Sequence, residues 1–189
     1  MKNLFPSLPE NATLGSLYQK FPDNLAPLSE YMNRVMRGPS ELSVAQREIV
    51  AAFVSGLNAC AFCHGAHKIH AKAHGVEVQT IEALMADVQT APIEPKLRSV
   101  LSYVEKLTRS PARMTEADAA AVYASGWSES ALFDAIQVCG VFNLINRFLE
   151  GTGITEYHMD PNNVEDGILT NLRSETCYSD FGRANGLSD

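Results

Sequence analysis

Nowhere in the sequence do apolar and polar residues alternate over a convincing strand length, and no low-complexity segment occurs. Helices are therefore the regular structure to expect. No basic stripe is present either: 15 Lys and Arg stand against 22 Asp and Glu, a formal net charge of −7. Binding nucleic acid requires clustered cations to neutralise phosphates, so that class of partner is not expected. A run of about 18 apolar residues is also missing, so no membrane span is predicted. The opening MKNLFPSLPEN has neither the charged start nor the apolar stretch of a signal peptide. Cysteine is scarce, and four in 189 residues do not make a disulfide framework. In a chain without an export signal they read as catalytic or metal-binding thiols, and the expected location is cytoplasmic.

What the chain does have is a 46% hydrophobic, 20% charged composition, suited at this length to one sizeable domain. The most informative stretch runs from Glu48 to His74, EIVAAFVSGLNACAFCHGAHKIHAKAH. Cys60 and Cys63 are three apart, His67 follows four residues later, and Glu48 precedes Cys60 by twelve. At about 100° per residue, Cys60, Cys63 and His67 fall on one face of a single helix. Ser43-x-x-Gln46 reads as a capping box opening a helix over 44–57, with Glu48 beside its inward face. Asn58 is the expected N-cap of a second helix over 59–74, which Gly75 closes. Both cysteines then lie in first turns, where free N–H groups and the helix dipole favour a thiolate.

Elsewhere, residues 1–12, with Pro6 and Pro9, form an irregular arm. Leu25, Leu28, Tyr31, Met32, Val35 and Met36 repeat at helical spacing until Gly38-Pro39 ends the segment. A short helix is expected over 78–87. An amphipathic one follows from Pro95, with Leu97, Val100, Leu101, Val104 and Leu107 on one face. Thr115 caps a further helix that Gly126 ends, and Ser128 caps a longer one reaching about Glu150. Residues 154–189 lose periodicity and read as extended, with a short helix near Gly167–Leu172. The expected organisation is an all-α domain over 1–155. A C-terminal tail, 156–189, packs on it or on a neighbouring subunit.

Two thiols and an imidazole on one stripe can do redox chemistry or bind a metal. Redox work on a peroxide needs a thiolate nucleophile and a proton for the leaving oxygen, which a carboxylate and an imidazole can supply. Zinc is the rival, with Cys60, Cys63, His64 and His67 as soft ligands. Four ligands along one short helical stretch, however, do not readily surround a tetrahedral ion. His70 and His74 read as residues of the polar face or the helix C-terminus. Cys139, within AIQVCGVFNLINRF, reads as a small buried hydrophobe, and Cys177 has no neighbour that suggests chemistry. The polar pair Asn146-Arg147 amid apolar residues predicts an interhelical or intersubunit contact.

The pattern Glu48-(x)11-Cys60-Ala61-Phe62-Cys63-(x)3-His67 resembles the alkyl hydroperoxidase D/carboxymuconolactone decarboxylase superfamily, and more narrowly its uncharacterised peroxidase-related proteins. MTEADAAAVYASGWSES and FNLINRFLEGTGI have counterparts in that group. The resemblance implies an all-helical fold, assembly into trimers or hexamers, and thiol peroxidase activity on hydroperoxides with no cofactor or metal. It implies that Cys63 is the peroxidatic thiol, Cys60 its disulfide partner, and Glu48 with His67 the proton relay. It also points to a thiol reductant such as a dihydrolipoyl protein. Some peroxidase-active relatives carry histidine immediately before the second cysteine, where this chain has Phe62, so a shorter relay is expected. The decarboxylase branch typically lacks the cysteine pair, so lactone chemistry is not expected. A non-catalytic redox sensor or disulfide carrier is the alternative reading.

Overall fold

The computed structural model describes residues 4–187, so the first three residues of the expected arm and the last two of the tail lie outside it. Among the described residues there are ten α-helices and no strand. They are α1 (Leu14–Lys20), α2 (Leu25–Arg37), α3 (Val44–Leu57), α4 (Ala61–Ala73), α5 (Val78–Ala86), α6 (Pro95–Arg109), α7 (Glu116–Ala124), α8 (Glu129–Thr152), α9 (Asp166–Leu172) and α10 (Cys177–Ala184).

The central element is α3. Its residues Arg47 to Ser55 are all buried, because Ile49, Val50, Ala51, Ala52, Phe53 and Val54 leave it apolar on every side. It packs most extensively on α4 and also meets α5, α6 and α8. The capping box forms as expected: Ser43 Oγ accepts from the Gln46 N–H at 3.2 Å, and Gln46 Oε1 accepts from the Ser43 N–H at 2.9 Å. Ser128 likewise caps α8, accepting from the Ala131 N–H at 3.1 Å.

The joint between α3 and α4 departs from the sequence expectation. Asn58 closes α3, its N–H bonded to the Val54 carbonyl at 3.1 Å, and does not open α4. Ala59 then takes φ 55°, the one non-glycine residue with positive φ among those described. Cys60, with φ −83° and ψ 92°, is the N-cap of α4. The chain must reverse direction between two closely packed helices, and residues 58–60 absorb that reversal. Cys60 consequently stands outside the helical stripe that holds Cys63 and His67.

The C-terminal segment is also more ordered than its sequence suggests. Besides the expected short helix, realised as α9, it forms α10. These helices have seven and eight residues, too few for a convincing apolar period, and their partners hold them in place. Helix α9 packs on α4, where Leu169 joins Ile69 and Ala73 in a small satellite core. Helix α10 packs on α2 and α1.

Helix α8, with 24 residues, is long and apolar enough to cross a membrane by length and composition. Asp134, Asn143, Asn146 and Arg147 break its apolar run, which is why no span was expected. Half of its most apolar window is buried within the protein, chiefly against α3 and α6.

The left-handed Ala59 gives a direct test. A non-glycine residue in this region costs about 1–2 kcal/mol, and glycine returns roughly half of that relief as backbone entropy. Ala59→Gly is expected to stabilise the protein by about 0.5–1 kcal/mol, read as a higher urea midpoint at unchanged slope. A lower midpoint would show that the Ala59 methyl makes contacts worth more than its strain.

Candidate active site

Glu48 lies on the side of α3 that faces α2, α4 and α10, and it is fully buried. An isolated carboxylate there would be prohibitively costly, so it is ringed by donors. Arg37 Nη1, from the last residue of α2, donates to Oε1 at 2.7 Å, and the Tyr178 hydroxyl of α10 donates to the same oxygen at 2.8 Å. His67 Nδ1 donates to Oε2 at 2.6 Å, and His70 Nδ1 lies 3.5 Å from Oε1. Burial opposes the charge, but the His70 and His67 imidazoles outweigh it, so Glu48 is held well below the usual carboxylate range. The permanently charged Arg37 at 2.7 Å acts in the same direction.

His67 is pushed down by burial, against the pull of Glu48. At neutral pH it is therefore an uncharged imidazole. Its bond to Glu48 assigns the proton to Nδ1 and leaves the Nε2 lone pair as an acceptor. Its ring meets the edge of Phe142 at 4.2 Å, which fixes the orientation of the imidazole. His70 was expected on the polar face but belongs to this cluster, stacked on Tyr178 at 5.3 Å.

Cys63 sits one turn before His67 on the same face of α4. Cys60 is fully enclosed and Cys63 is 3% exposed. No disulfide joins them. The hydrogen bond between the two thiols lowers Cys60, with burial opposing. The same bond raises Cys63, reinforced by burial. The pair thus shares one proton: losing the first is eased and losing the second is opposed. Among the described residues, no hydrogen bond joins either sulfur to His67.

A second polar network supports the thiols. Asn58 Nδ2 donates to Asn146 Oδ1 at 2.9 Å, and Asn146 Nδ2 donates to Ser55 Oγ at 3.1 Å. The Asn146 amide also favours the ionised form of Cys63. This is the interhelical contact expected of Asn146. Its neighbour Arg147 differs from that expectation, being exposed and bonded to Asn143 in its own helix. His64 turns away from the thiols, donating from Nδ1 to the Ala52 carbonyl at 2.8 Å. The four zinc ligands considered from sequence are therefore not convergent, and the described residues hold no cluster of three or more His, Cys, Asp and Glu placed for a metal. Cys139 is buried beside Thr108, as a small core residue. Cys177 is half-buried near Arg37, and burial pushes its thiol up to about 11.

A sequence model of the carboxymuconolactone decarboxylase family matches residues 22–106, the span from just before α2 to most of α6 that contains Arg37, Glu48, Cys60, Cys63 and His67. An uncharacterized peroxidase-related protein from Silicibacter sp. superposes with a TM-score of 0.71 at 28% identity, covering 77% of this chain and 76% of that one. The match to the carboxymuconolactone decarboxylase family thus covers somewhat less than half of the chain and holds the whole Glu48–His67 stretch.

Two further solved structures share the fold. One, described as an alkylhydroperoxidase AhpD core and an uncharacterized peroxidase-related protein from Ralstonia eutropha, has a TM-score of 0.68 at 21% identity, over 82% of this chain and 77% of that one. The other, a protein of unknown function from Agrobacterium tumefaciens, has a TM-score of 0.64 at 20% identity, over 76% and 96%. No curated protein sequence gives a significant match. The all-α, AhpD-like architecture expected from sequence is the one observed. Arg37, His70 and Tyr178 were not anticipated as parts of this cluster. Arg37 had only its position before Gly38-Pro39 to mark it, and Tyr178 lies outside the matched segment.

Glu48→Gln should strand the Arg37 guanidinium, whose side chain is 3% exposed. Loss of about 3–5 kcal/mol at pH 7 is expected in urea unfolding, with partial recovery when Arg37→Met is added. Acid should act on the same cluster. Glu48 and His67 both have folded pKa values below their unfolded ones. Each therefore stabilises the fold above its unfolded pKa and loses that contribution as pH falls. The urea midpoint should begin to drop below about pH 6.5 through His67 and drop again below about pH 4 through Glu48. A midpoint flat from pH 8 to 4 would contradict this.

Proposed function

We propose that this protein is a thiol-dependent peroxidase that reduces hydroperoxides through a Cys60–Cys63 dithiol, with Glu48 and His67 moving the protons. The observation that carries this reading is the buried Glu48–His67 pair, one turn along the same helical face from Cys63, at 2.6 Å. A neutral imidazole with its Nδ1–H fixed on a carboxylate is a base at Nε2, and the resulting imidazolium is held by Glu48.

In this mechanism Cys63 attacks, because it lies one turn from His67 on the same face of α4, whereas Cys60 is the N-cap outside that stripe. His67 Nε2 takes the thiol proton, with the hydroperoxide seated between imidazole and sulfur. The Cys63 thiolate attacks the terminal peroxide oxygen, the O–O bond breaks, and the alkoxide takes the proton from His67 and leaves as alcohol. Cys63 is now a sulfenic acid. Cys60 attacks its sulfur, the hydroxyl leaves as water with the Cys60 proton, and the disulfide forms. An external dithiol then reduces the disulfide and is itself oxidised. The net change is hydroperoxide plus dithiol to alcohol, water and disulfide. Thiols this enclosed suit a slender reductant such as a dihydrolipoyl arm. Phe62 contributes no proton of its own, which leaves the relay to Glu48 and His67.

Assembly belongs to the same proposal. Phe133 is 60% exposed and Leu144 39% on the outer side of α8, apolar surface suited to a trimer or hexamer. Sedimentation equilibrium should give a multiple of the 20.6 kDa chain. A monomer at micromolar concentration would defeat that part.

Mild oxidation with tert-butyl hydroperoxide should remove two hydrogens from the peptide spanning Cys60 and Cys63, and dihydrolipoamide should restore them with continued peroxide consumption. His67→Gln is expected to slow the oxidation by about 10²-fold, the low end for general acid–base catalysis. Consumption of a single equivalent without turnover would favour a redox sensor. Oxidation at an unchanged rate in His67→Gln would remove His67 from the mechanism.

A further inference from the structure

We propose that Tyr178, delivered by the C-terminal helix, is a positioning residue: its hydroxyl fixes which oxygen of Glu48 serves His67 and so sets the basicity of that imidazole. Its catalytic consequence rests on the peroxidase reading above; its effect on His67 does not.

A carboxylate offers two oxygens and about four lone-pair directions. Oε1 receives Arg37 at 2.7 Å and the Tyr178 hydroxyl at 2.8 Å, which leaves Oε2 to His67 at 2.6 Å. With the hydroxyl gone, Oε1 keeps one close donor and the carboxylate is free to rotate. The Tyr178 ring packs against the Arg37 guanidinium, 4.9 Å from its centroid, and against His70, stacked at 5.3 Å. A phenylalanine would fill the same space, so the buried hydroxyl is accounted for by Glu48 alone.

The backbone around Tyr178 is held on both sides by α2. Asn33 Oδ1 accepts from the Tyr178 N–H at 3.2 Å and the Ser179 N–H at 3.4 Å. Asn33 Nδ2 donates to the Glu175 carbonyl at 3.0 Å, and Ser29 Oγ donates to the Tyr178 carbonyl at 3.0 Å. Gly182 admits the approach, since a Cβ there would stand 2.5 Å from Ser29 Oγ. Helix α10 is thereby aimed so that one side chain reaches the carboxylate.

The electrostatic consequence follows from hydrogen bonding. A hydroxyl donating to Glu48 disperses its charge and weakens its hold on a His67 imidazolium. Other charged or titratable groups around the pair are Arg37 on α2, Arg47 on α3, Cys63 and His70 on α4, His74 at its C-cap, and Cys177 on α10; α8 presents the uncharged Phe142 and Asn146, with Glu150 beside the thiols. All of them stay in place when the hydroxyl alone is removed. Burial, then the charge of Glu48, raises Tyr178 well above its ordinary range, so it remains a donor at every pH relevant to the test.

The test compares wild type, Tyr178→Phe and Ser29→Ala. Imidazole NMR titration of His67 needs no catalysis, and the pH profile of dithiol oxidation by tert-butyl hydroperoxide reads the mechanism. Tyr178→Phe should raise the His67 pKa by about one unit and slow oxidation about tenfold at pH 7, its acidic limb moving upward with His67. Ser29→Ala keeps the hydroxyl but removes one of the bonds that aim α10, and it should shift both in the same direction as Tyr178→Phe and by less. 3-Fluorotyrosine at 178, a stronger donor in the same ring, should lower the His67 pKa and provides a second variant if Tyr178→Phe does not fold. An unchanged His67 titration in a folded Tyr178→Phe or in the fluorinated protein would overturn the proposal. A shifted titration with an unshifted oxidation profile would uphold the positioning of Glu48 and overturn the peroxidase relay instead.

Discussion

One carboxylate without water sets the terms for this protein. Glu48 is fully buried, and a buried anion persists only where donors converge on it. Here they come from three directions: Arg37 at the end of α2, His67 on α4, and Tyr178 on α10. The ends of α2, α4 and α10 are therefore placed by an electrostatic requirement as well as by packing. Arg37 adds to this by donating from Nη2 to the Leu172 carbonyl at 3.3 Å, tying the end of α9 to the same point. The expense of burying the ion has a chemical return, since a carboxylate held ionised keeps its imidazole partner in one tautomer.

The dithiol depends on a different constraint, the tight reversal at 58–60. A straight continuation of α3 would carry the cysteines away from Glu48. The left-handed Ala59 turns the chain so that α4 runs back along α3 and places His67 against a residue nineteen positions earlier. Cys60 becomes the N-cap at that turn and Cys63 the first thiol of the helix proper. Two cysteines in a C-x-x-C spacing thus acquire different surroundings, and sharing one proton separates their acidities further.

Much of this was readable from the chain. Ser43-x-x-Gln46 marked the start of α3, Ser128 the start of α8, and the spacing of Glu48, Cys60, Cys63 and His67 marked residues that the fold brings together, because each signal is local. Asn58 was misread as the opening of α4. An Asn suits a helix end of either polarity, and only the antiparallel packing of α3 on α4 decides between them. His70 was taken for a polar-face residue because helical spacing cannot reveal that α10 stacks on it. Tyr178 left no sequence signal at all. Its role comes from a contact across 130 residues, and no local pattern encodes the far partner of such a contact.

That separation has a consequence for how the molecule comes into being. Helices α3 and α4, adjacent in sequence and extensively packed, can pair as they leave the ribosome. The Glu48–Tyr178 bond closes a loop of 130 residues, so it is among the last contacts formed, and ordering that loop carries a large entropic cost. A nascent chain consequently has its dithiol and imidazole in place before the donor set of Glu48 is complete. A chain cut short after α9 retains most of its core but not the finished surroundings of its carboxylate.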